Sequence, residues 1–540
     1  MTGAEVRYII DAISVSPDGG ETEALNVAAR RLEKLGIKTR DIGLSIFKRS
    51  VDARKRDDVR LVYSVAVSIS AENRTHERLL SRLGARKIEE TSIEFEYGDG
   101  QMSHRPMVVG MGPAGMFCAL ILAEQGYRPI IIDRGDCVAD RVRAVDRFYA
   151  QAVLDTDSNI QFGAGGAGTF SDGKLLTRIN DAKCSYVLKA LVDFGAPEDI
   201  TLKAKPHIGT DILREVVDNI LKRIKELGGE VIYRCKMTGL ERLADGVRVT
   251  TTKGDFVCGD VVLALGHSAR DTYKMLIESG YAVSPKPISV GVRIEHLRED
   301  IEYMLYGNFA GHKALGAAEY ALSDTKRERG VYTFCMCPGG EVVGAASEEG
   351  GVVVNGMSKY ARDGRNSNSA IAVSVRPDDF CAVDGNLALG AIEFQRKIER
   401  AAFVAGGRDY SAPMQTVGDF LSGTRGSTPT RVTPTYMGGR CVVADLDGVL
   451  PDFVTDHLRY GILSFDKKYR GFADDCAILT GAETRTSAPV RILRGEDMSA
   501  IGHENIYPCG EGAGYAGGIT SAAVDGIKTA LAIIKKYKKI

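Results

Sequence analysis

A chain of 540 residues is long enough for three or four domains of roughly 150 residues, or for one large domain carrying insertions. Apolar residues make up 44% and charged residues 26%, which excludes global disorder. With 70 basic against 71 acidic side chains, the net charge of −1 excludes a strong basic field for nucleic acid or an anionic membrane.

Residues 1–98 read as a unit of their own. The pattern predicts a strand over 6–13, a helix over 21–35 closed by Gly36, and strands near 42–50 and over 59–70. A helix over 72–83 ends at Gly84, and a last strand is expected over 91–97. The order β-α-β-β-α-β is the split-βαβ, ferredoxin-like α+β arrangement. The basic stretch 48–58 (KRSVDARKRDD) is diluted by Asp52, Asp57 and Asp58 and has no aromatic platform for bases. A solvated hairpin loop is expected there rather than a grip on RNA or an acidic partner. Residues 99–106 read as a linker.

From 107 the pattern turns to α/β, with a Rossmann-like first part over 107–283. The strand Met107-Val108-Val109 enters Gly110-Met111-Gly112-Pro113-Ala114-Gly115, a helix follows to Gly126, and a second apolar strand ends at Asp133 and Arg134. Gly110 serves the tight turn, Gly112 lets a pyrophosphate approach the backbone, and Gly115 lets the helix pack on the strands. Pro113 suits the first helical turn, whose free N–H groups face the phosphates together with Ala114. Asp133, 23 residues after Gly110, would accept from ribose hydroxyls and disfavours a 2′-phosphate.

FAD and NAD share that fingerprint, and three further segments favour FAD. The loop 158–174 (SNIQFGAGGAGTFSDGK) offers bare backbone at Gly165 and Gly166 with Ser171 and Lys174 for a pyrophosphate or flavin edge. A β-meander over 236–257, opened by Met237, precedes the strand DVVLAL (260–265) and the turn Gly266-His267. The chain returns over 490–540 with Gly510-Glu511, then Gly517-Gly518-Ile519 opening a helix to about 535. There Glu511 would bond ribityl hydroxyls, and the helix dipole would face the flavin. No second strand–Gly turn–helix–acid unit exists, so NAD(P)H is expected at most as a transient electron donor.

Between these parts, residues 284–489 look like an inserted β-rich substrate domain. Its candidates for catalysis are Arg293, Glu295 and His296 on SVGVRIEH (289–296), with Arg485 just before the chain returns. Alternation puts Arg293 and Glu295 on one face and His296 on the other. A structural ion pair with a satisfied histidine is the alternative for the first three, and a domain-joining salt bridge for Arg485. Cys335 and Cys337 form the only close pair among eleven cysteines and read as buried strand residues. Disulfide-reducing flavoenzymes carry their pair after the first helix, where this chain has only the Gly-rich loop. Neither cysteine nor histidine spacing suggests a metal site.

Residues from about 100 to 540 resemble a bacterial family known as FAD-dependent dehydrogenases, or FAD-dependent proteins, of the glutathione-reductase-like superfamily. The strings that carry the likeness include GMGPAG (110–115), SNIQFGAGGAGTFSDGKL (158–175), YTFCMCPGGEVV (332–343), ETRTSAPVRI (483–492) and YPCGEGAGYAGGITSAAVDGI (507–527). The N-terminal ferredoxin-like unit also occurs in that family. The resemblance implies non-covalent FAD and redox chemistry on an unidentified small molecule; it supplies no substrate or oligomeric state. The rival expectations are a flavin-dependent monooxygenase or nucleic-acid-modifying flavoenzyme, and a non-catalytic flavin-binding sensor. No membrane span or export signal is read, so a cytoplasmic protein is expected.

Overall fold

The computed structural model describes residues 5–71, 73–88, 92–424 and 426–539. They fall into two compact units. The first runs to Ile93 and also takes Pro197–His207 and Glu299–Ala318. Its four strands lie in the order Gly43–Asp52, Arg60–Ser70, Glu5–Val15, Arg86–Lys87, all antiparallel. The helix Gly20–Glu33 buries Ala24, Ala28 and Leu32 as one stripe. Its acids Glu21 and Glu23 stand in the first turn and Arg30 and Arg31 in the last, as the helix dipole favours. Asn73 caps the helix Arg74–Arg82 by accepting from the His76 N–H.

Three expectations need correction here. The last strand is Arg86–Lys87, not 91–97; residues 92–97 hold no strand, and Thr91 lies outside the described residues. From Glu94 the chain already belongs to the second unit, where the Tyr97 hydroxyl donates to Gln125 (2.5 Å). Residues 99–106 are not a free linker, because Gly100 N–H donates to Lys536 O (3.1 Å) and Lys538 N–H to Gly100 O (2.8 Å). The basic stretch does form the expected exposed hairpin loop, between the strands Gly43–Asp52 and Arg60–Ser70, though parts of it are engaged. Arg49 N–H donates to Leu202 O (2.7 Å), Ala204 N–H returns a bond to Arg49 O (2.8 Å), and the Arg56 guanidinium lies 4.3 Å from the Tyr303 ring. Local periodicity could not reveal that 197–207 and 299–318 complete this unit. Deleting residues 1–98 is therefore expected to strip those two segments of their partners. The truncated protein should show lower solubility and an earlier thermal transition than the full chain; a truncation as stable as the full chain in a melting experiment would contradict this.

The second unit is built on a five-stranded parallel sheet, in the order Ile506–Pro508, Val261–Leu263, Met107–Val109, Ile130–Ile132, Glu230–Ile232. The fingerprint helix Pro113–Glu124 is buried from Ala114 to Ala123, which its apolar sequence requires on every face. The C-terminal helix Ile519–Ile534 packs on it closely enough that a Cβ at Gly526 would meet the Ala114 backbone. The meander Met237–Arg242, Val247–Thr251, Gly254–Cys258 forms a separate antiparallel sheet. Chain exit and return are joined by the antiparallel pair Val283–Pro285 and Val490–Ile492. Between them lies a seven-stranded sheet in the order Ser323–Asp324, Val331–Cys337, Asn366–Val375, Ile288–Leu297, Ile478–Glu483, Ala412–Thr416, Cys441–Val443. The segment 284–489 is less β-rich than expected, since it also carries the helices Leu387–Ala405 and Asp452–Lys468.

Candidate functional site

In an open parallel sheet, ligands sit beyond the carboxyl ends of the strands. There the strands ending at Val109, Ile132, Leu263 and Pro508 open onto a cleft of about 1270 Å³, open to solvent at its mouth. Two helix N-termini meet its wall, one at Gly112, Pro113 and Ala114, the other at Gly518 and Ile519. The first-turn N–H groups of a helix have no partner within it, so both ends can receive an anion or a polar ring edge.

Most of the sequence candidates reach this wall: Gly110, Gly112, Pro113, Ala114, Asp133, Gly166, Ser171, Lys174, Gly266, His267, Arg485, Glu511, Gly518 and Ile519. Gly110 has φ +108, and a Cβ there would strike the Ala264 carbonyl. Asp133 accepts from Met111 N–H (2.9 Å) and Gly135 N–H (2.9 Å), so it also fixes the fingerprint turn.

The others stand behind the wall or beside it. Gly115 has the packing role, since a Cβ would strike the Gly110 carbonyl oxygen, with Val108 Cγ1 at 3.2 Å. Gly165 donates to Met111 O (2.8 Å). Arg134 is bound to Asp271 (2.8 Å) and covers the Phe162 ring, while Met237 fills the core beneath the meander. Gly510 donates to Asp525 (2.7 Å), and Gly517 is solvent-exposed outside the lining.

Three catalytic candidates do not line the cleft. Arg293 is buried and pairs with Glu483 (3.2 Å), Asn368 (3.0 Å) and Asn355 (3.1 Å). Burial pushes the Glu483 carboxyl up to about 7 against the pull of Arg293. Glu295 accepts from Asn366 (2.9 Å) and Thr435 Oγ1 (2.6 Å), and His296 donates through Nε2 to Phe472 O (2.8 Å). Alternation on strand 288–297 gave their faces but not which face meets the cleft.

Arg485 lines the cleft, yet its guanidinium is largely committed. It donates to Glu399 (3.0 and 3.2 Å), Ser268 (3.0 Å) and Ser347 (2.5 Å). The same Glu399 receives Arg270 (2.6 and 2.8 Å) and Thr484 (2.7 Å). Burial opposes the charge of Glu399, but the two arginines outweigh it and hold the carboxyl well below its usual range. Beside them, burial and the same arginines bring His267 down to about 3, so a neutral imidazole faces the cleft. Lys174, also in the lining, binds Asp172 (2.5 Å), which also receives Arg362 (2.5 Å). Burial opposes that charge too, but the two cations bring Asp172 to about 2. Among the described residues no cluster of His, Cys, Asp and Glu fits a metal ion.

Comparison with known proteins gives the chain its place. An uncharacterized protein of Clostridium beijerinckii is 46% identical over 537 residues, covering 98% of each chain. The chain belongs to that protein's family. A family model described as FAD-dependent protein, C-terminal domain-like, matches residues 287–486, and a domain of unknown function matches 10–68. FAD is the cofactor, and the glycine turn, Asp133 and the two helix ends fit it. Among solved structures, the halogenase PltM matches at 11% identity over 80% of this chain and 68% of its own, with a TM-score of 0.35. The amino acid oxidase NikD matches at 13% over 80% and 94%, with a TM-score of 0.32.

Sequence reasoning missed several groups. Asp525 fixes Gly510 and takes Arg494 (2.7 and 2.9 Å) from within the last helix, where only its burial in an apolar run could have signalled it. Glu399 and Arg270 gave no signal at all, being far apart in sequence. Cys335, expected to be buried, is exposed and lines the cleft with Cys337 and Phe334.

Proposed function

We propose that the chain is an FAD-dependent oxidoreductase of the glutathione-reductase-like, two-dinucleotide-fold type. It exchanges a hydride or two electrons between non-covalently held FAD and a small organic molecule. The observation that carries this reading is the convergence of two helix N-termini, the glycine turn and the acid Asp133 on one cleft. FAD supplies the redox chemistry when bound; the chain supplies binding, orientation and electrostatics. Gly112 and the fingerprint helix would take the pyrophosphate, Asp133 the adenosine ribose, and Glu511 the ribityl chain. The N-terminus of the C-terminal helix would face the flavin, and neutral His267 could hold a proton at a ring nitrogen. We read the first unit as a ferredoxin-like appendage and the protein as cytoplasmic.

The purified protein is expected to be yellow and to release FAD, not FMN, on heat denaturation, as chromatography of the supernatant would show. Anaerobic addition of NADH and NADPH, followed at the flavin band, then finds the electron donor. Recovery of FMN alone, or a colourless protein indifferent to added FAD, refutes the reading.

Glu511 gives an electrostatic test. It accepts from Gly518 N–H (3.3 Å), and burial raises its carboxyl above the usual range. Glu511→Gln keeps shape and hydrogen bonding but removes a negative charge near the cofactor at pH 8. Since the reduced cofactor carries negative charge, its formation becomes easier and the midpoint potential should rise by a few tens of millivolts. For a two-electron couple about 30 mV corresponds to about 1.4 kcal/mol. A dye-equilibrated titration of both proteins measures it; an unchanged potential with FAD retained means that Glu511 is remote from the flavin or already neutral.

A further inference from the structure

The strand Val331–Cys337 carries Phe-Cys-Met-Cys at 334–337. Its register against Asn366–Val375 breaks between Phe334 and Cys337, with one residue more than its partner. At the break Cys335 takes φ +44, a left-handed value that residues with a side chain seldom adopt. The bend leaves Cys335 exposed while Cys337 is buried behind it, and both sit in the cleft wall.

Two cations pin this bend. Arg293 donates to the Cys335 carbonyl (2.5 Å) and lies 3.9 Å from Cys337 Sγ, and Lys174 donates to the Met336 carbonyl. The Cys337 thiol folds back to donate to the Cys335 carbonyl (3.3 Å). Asn368, paired with Cys337 across the sheet, offers its Oδ1 to Arg293, while its buried Nδ2 finds no partner among the described residues. Arg293 and Lys174 put positive charge beside these sulfurs, which eases but does not outweigh the burial of the thiols. Arg293, unsuited to touching a substrate, thereby has a positioning role.

We propose that Cys335 and Cys337 form a redox pair that exchanges two electrons with the cofactor, making the cleft a site for thiol–disulfide substrates; this rests on the reading that the cleft holds FAD. In the oxidising direction two S–H bonds break and one S–S bond forms. The electron pair and one proton pass to oxidised FAD, and the second proton leaves to solvent. In reverse, reduced FAD opens the disulfide, and Cys335, the exposed sulfur, attacks a small disulfide in the cleft. That forms a Cys335 mixed disulfide and expels one thiol; Cys337 then attacks Cys335, expels the second thiol and closes the ring. Enclosure raises both thiols, Cys335 to about 12, against the pull of Arg293 and Lys174, so the reduced pair rests protonated. A ring closed over one residue is strained and readily reduced, and the left-handed bend supplies the turn that a regular strand lacks.

The test uses the full-length, FAD-loaded protein. Air-oxidised protein, denatured in acid and counted with a chromogenic disulfide reagent, should show two thiols fewer than the eleven cysteines of the sequence. Anaerobic dithionite titration of the native protein should consume twice the two electrons that flavin alone takes. Cys335→Ser and Cys337→Ser should each keep FAD and take up only the flavin's two. Eleven free thiols in the oxidised, FAD-loaded protein, or two electrons per FAD in the unaltered chain, overturns the proposal and leaves the cofactor reading intact. A protein that binds no FAD overturns both.

Discussion

Purified Gly112→Val protein is expected to fold normally and to be colourless. Gly112 has φ −73, which any residue adopts, and a Cβ there would meet nothing nearer than Gly166 Cα at 3.9 Å. The valine therefore does not disturb the chain; it projects into the space where a pyrophosphate would approach the helix N-terminus. A branched side chain there forbids the contact that the free N–H groups would make. A loss of ~3 kcal/mol or more, over 100-fold in Kd, should leave no FAD after gel filtration. Gly110 supplies the contrast. Its φ of +108 and the Ala264 carbonyl beside it leave no room for a Cβ, so Gly110→Val should lower stability as well as FAD content. Circular dichroism and a thermal melt, both on cofactor-free protein, separate the two effects. A Gly112→Val protein with full flavin content would show that the phosphates bind elsewhere.

What the sequence made legible was local. The fingerprint, the Gly-rich loop, the small-residue turn and the C-terminal return each lie within about thirty residues, and each lines one cleft. Their spacing is set by strand and helix geometry, which nearby residues dictate. The chain's non-local decisions left no such trace. Arg49 binding Leu202 and Ala204 joins segments separated by about 150 residues, and no periodicity marks it. On strand 288–297 alternation correctly separates the two faces, but Arg293 and Glu295 meet partners from 355, 366, 435 and 483 rather than the cleft. Cys335 shows the same limit: a single-residue break in register turned an expected buried strand position into a cleft-facing thiol.

The largest stability loss is expected from Glu399→Ala. Glu399 lies at the centre of a buried cluster in which Arg270 and Arg485 both lean on one carboxylate, with Thr484 donating to it as well. Glu348 reaches Arg270 (2.7 Å) from the rim, but Arg485 has no second carboxylate bonded to it among the described residues. Removing Glu399 strands the desolvated Arg485 guanidinium and leaves Arg270 to Glu348 and Gln395, and breaking a buried pair in this way costs about 3–5 kcal/mol. Denaturant unfolding at pH 7 should therefore show the variant less stable by that order. The pH dependence gives an independent check. The folded carboxyl is held far below its usual value of 4.5, so Glu399 contributes its full stabilisation above that pH. The contribution fades as pH falls below that value and through the folded one. The gap between the two proteins should thus stay constant from pH 8 down to about 5 and narrow only below the ordinary carboxylate range. Because Arg485 and His267 border the cleft, the variant should also lose FAD affinity, as its neighbours move to find other counterions. A gap under about 1 kcal/mol at pH 7 would mean that Glu348 or solvent replaces the lost charge, and that the cluster is not what joins the helix Leu387–Ala405 to the cleft wall.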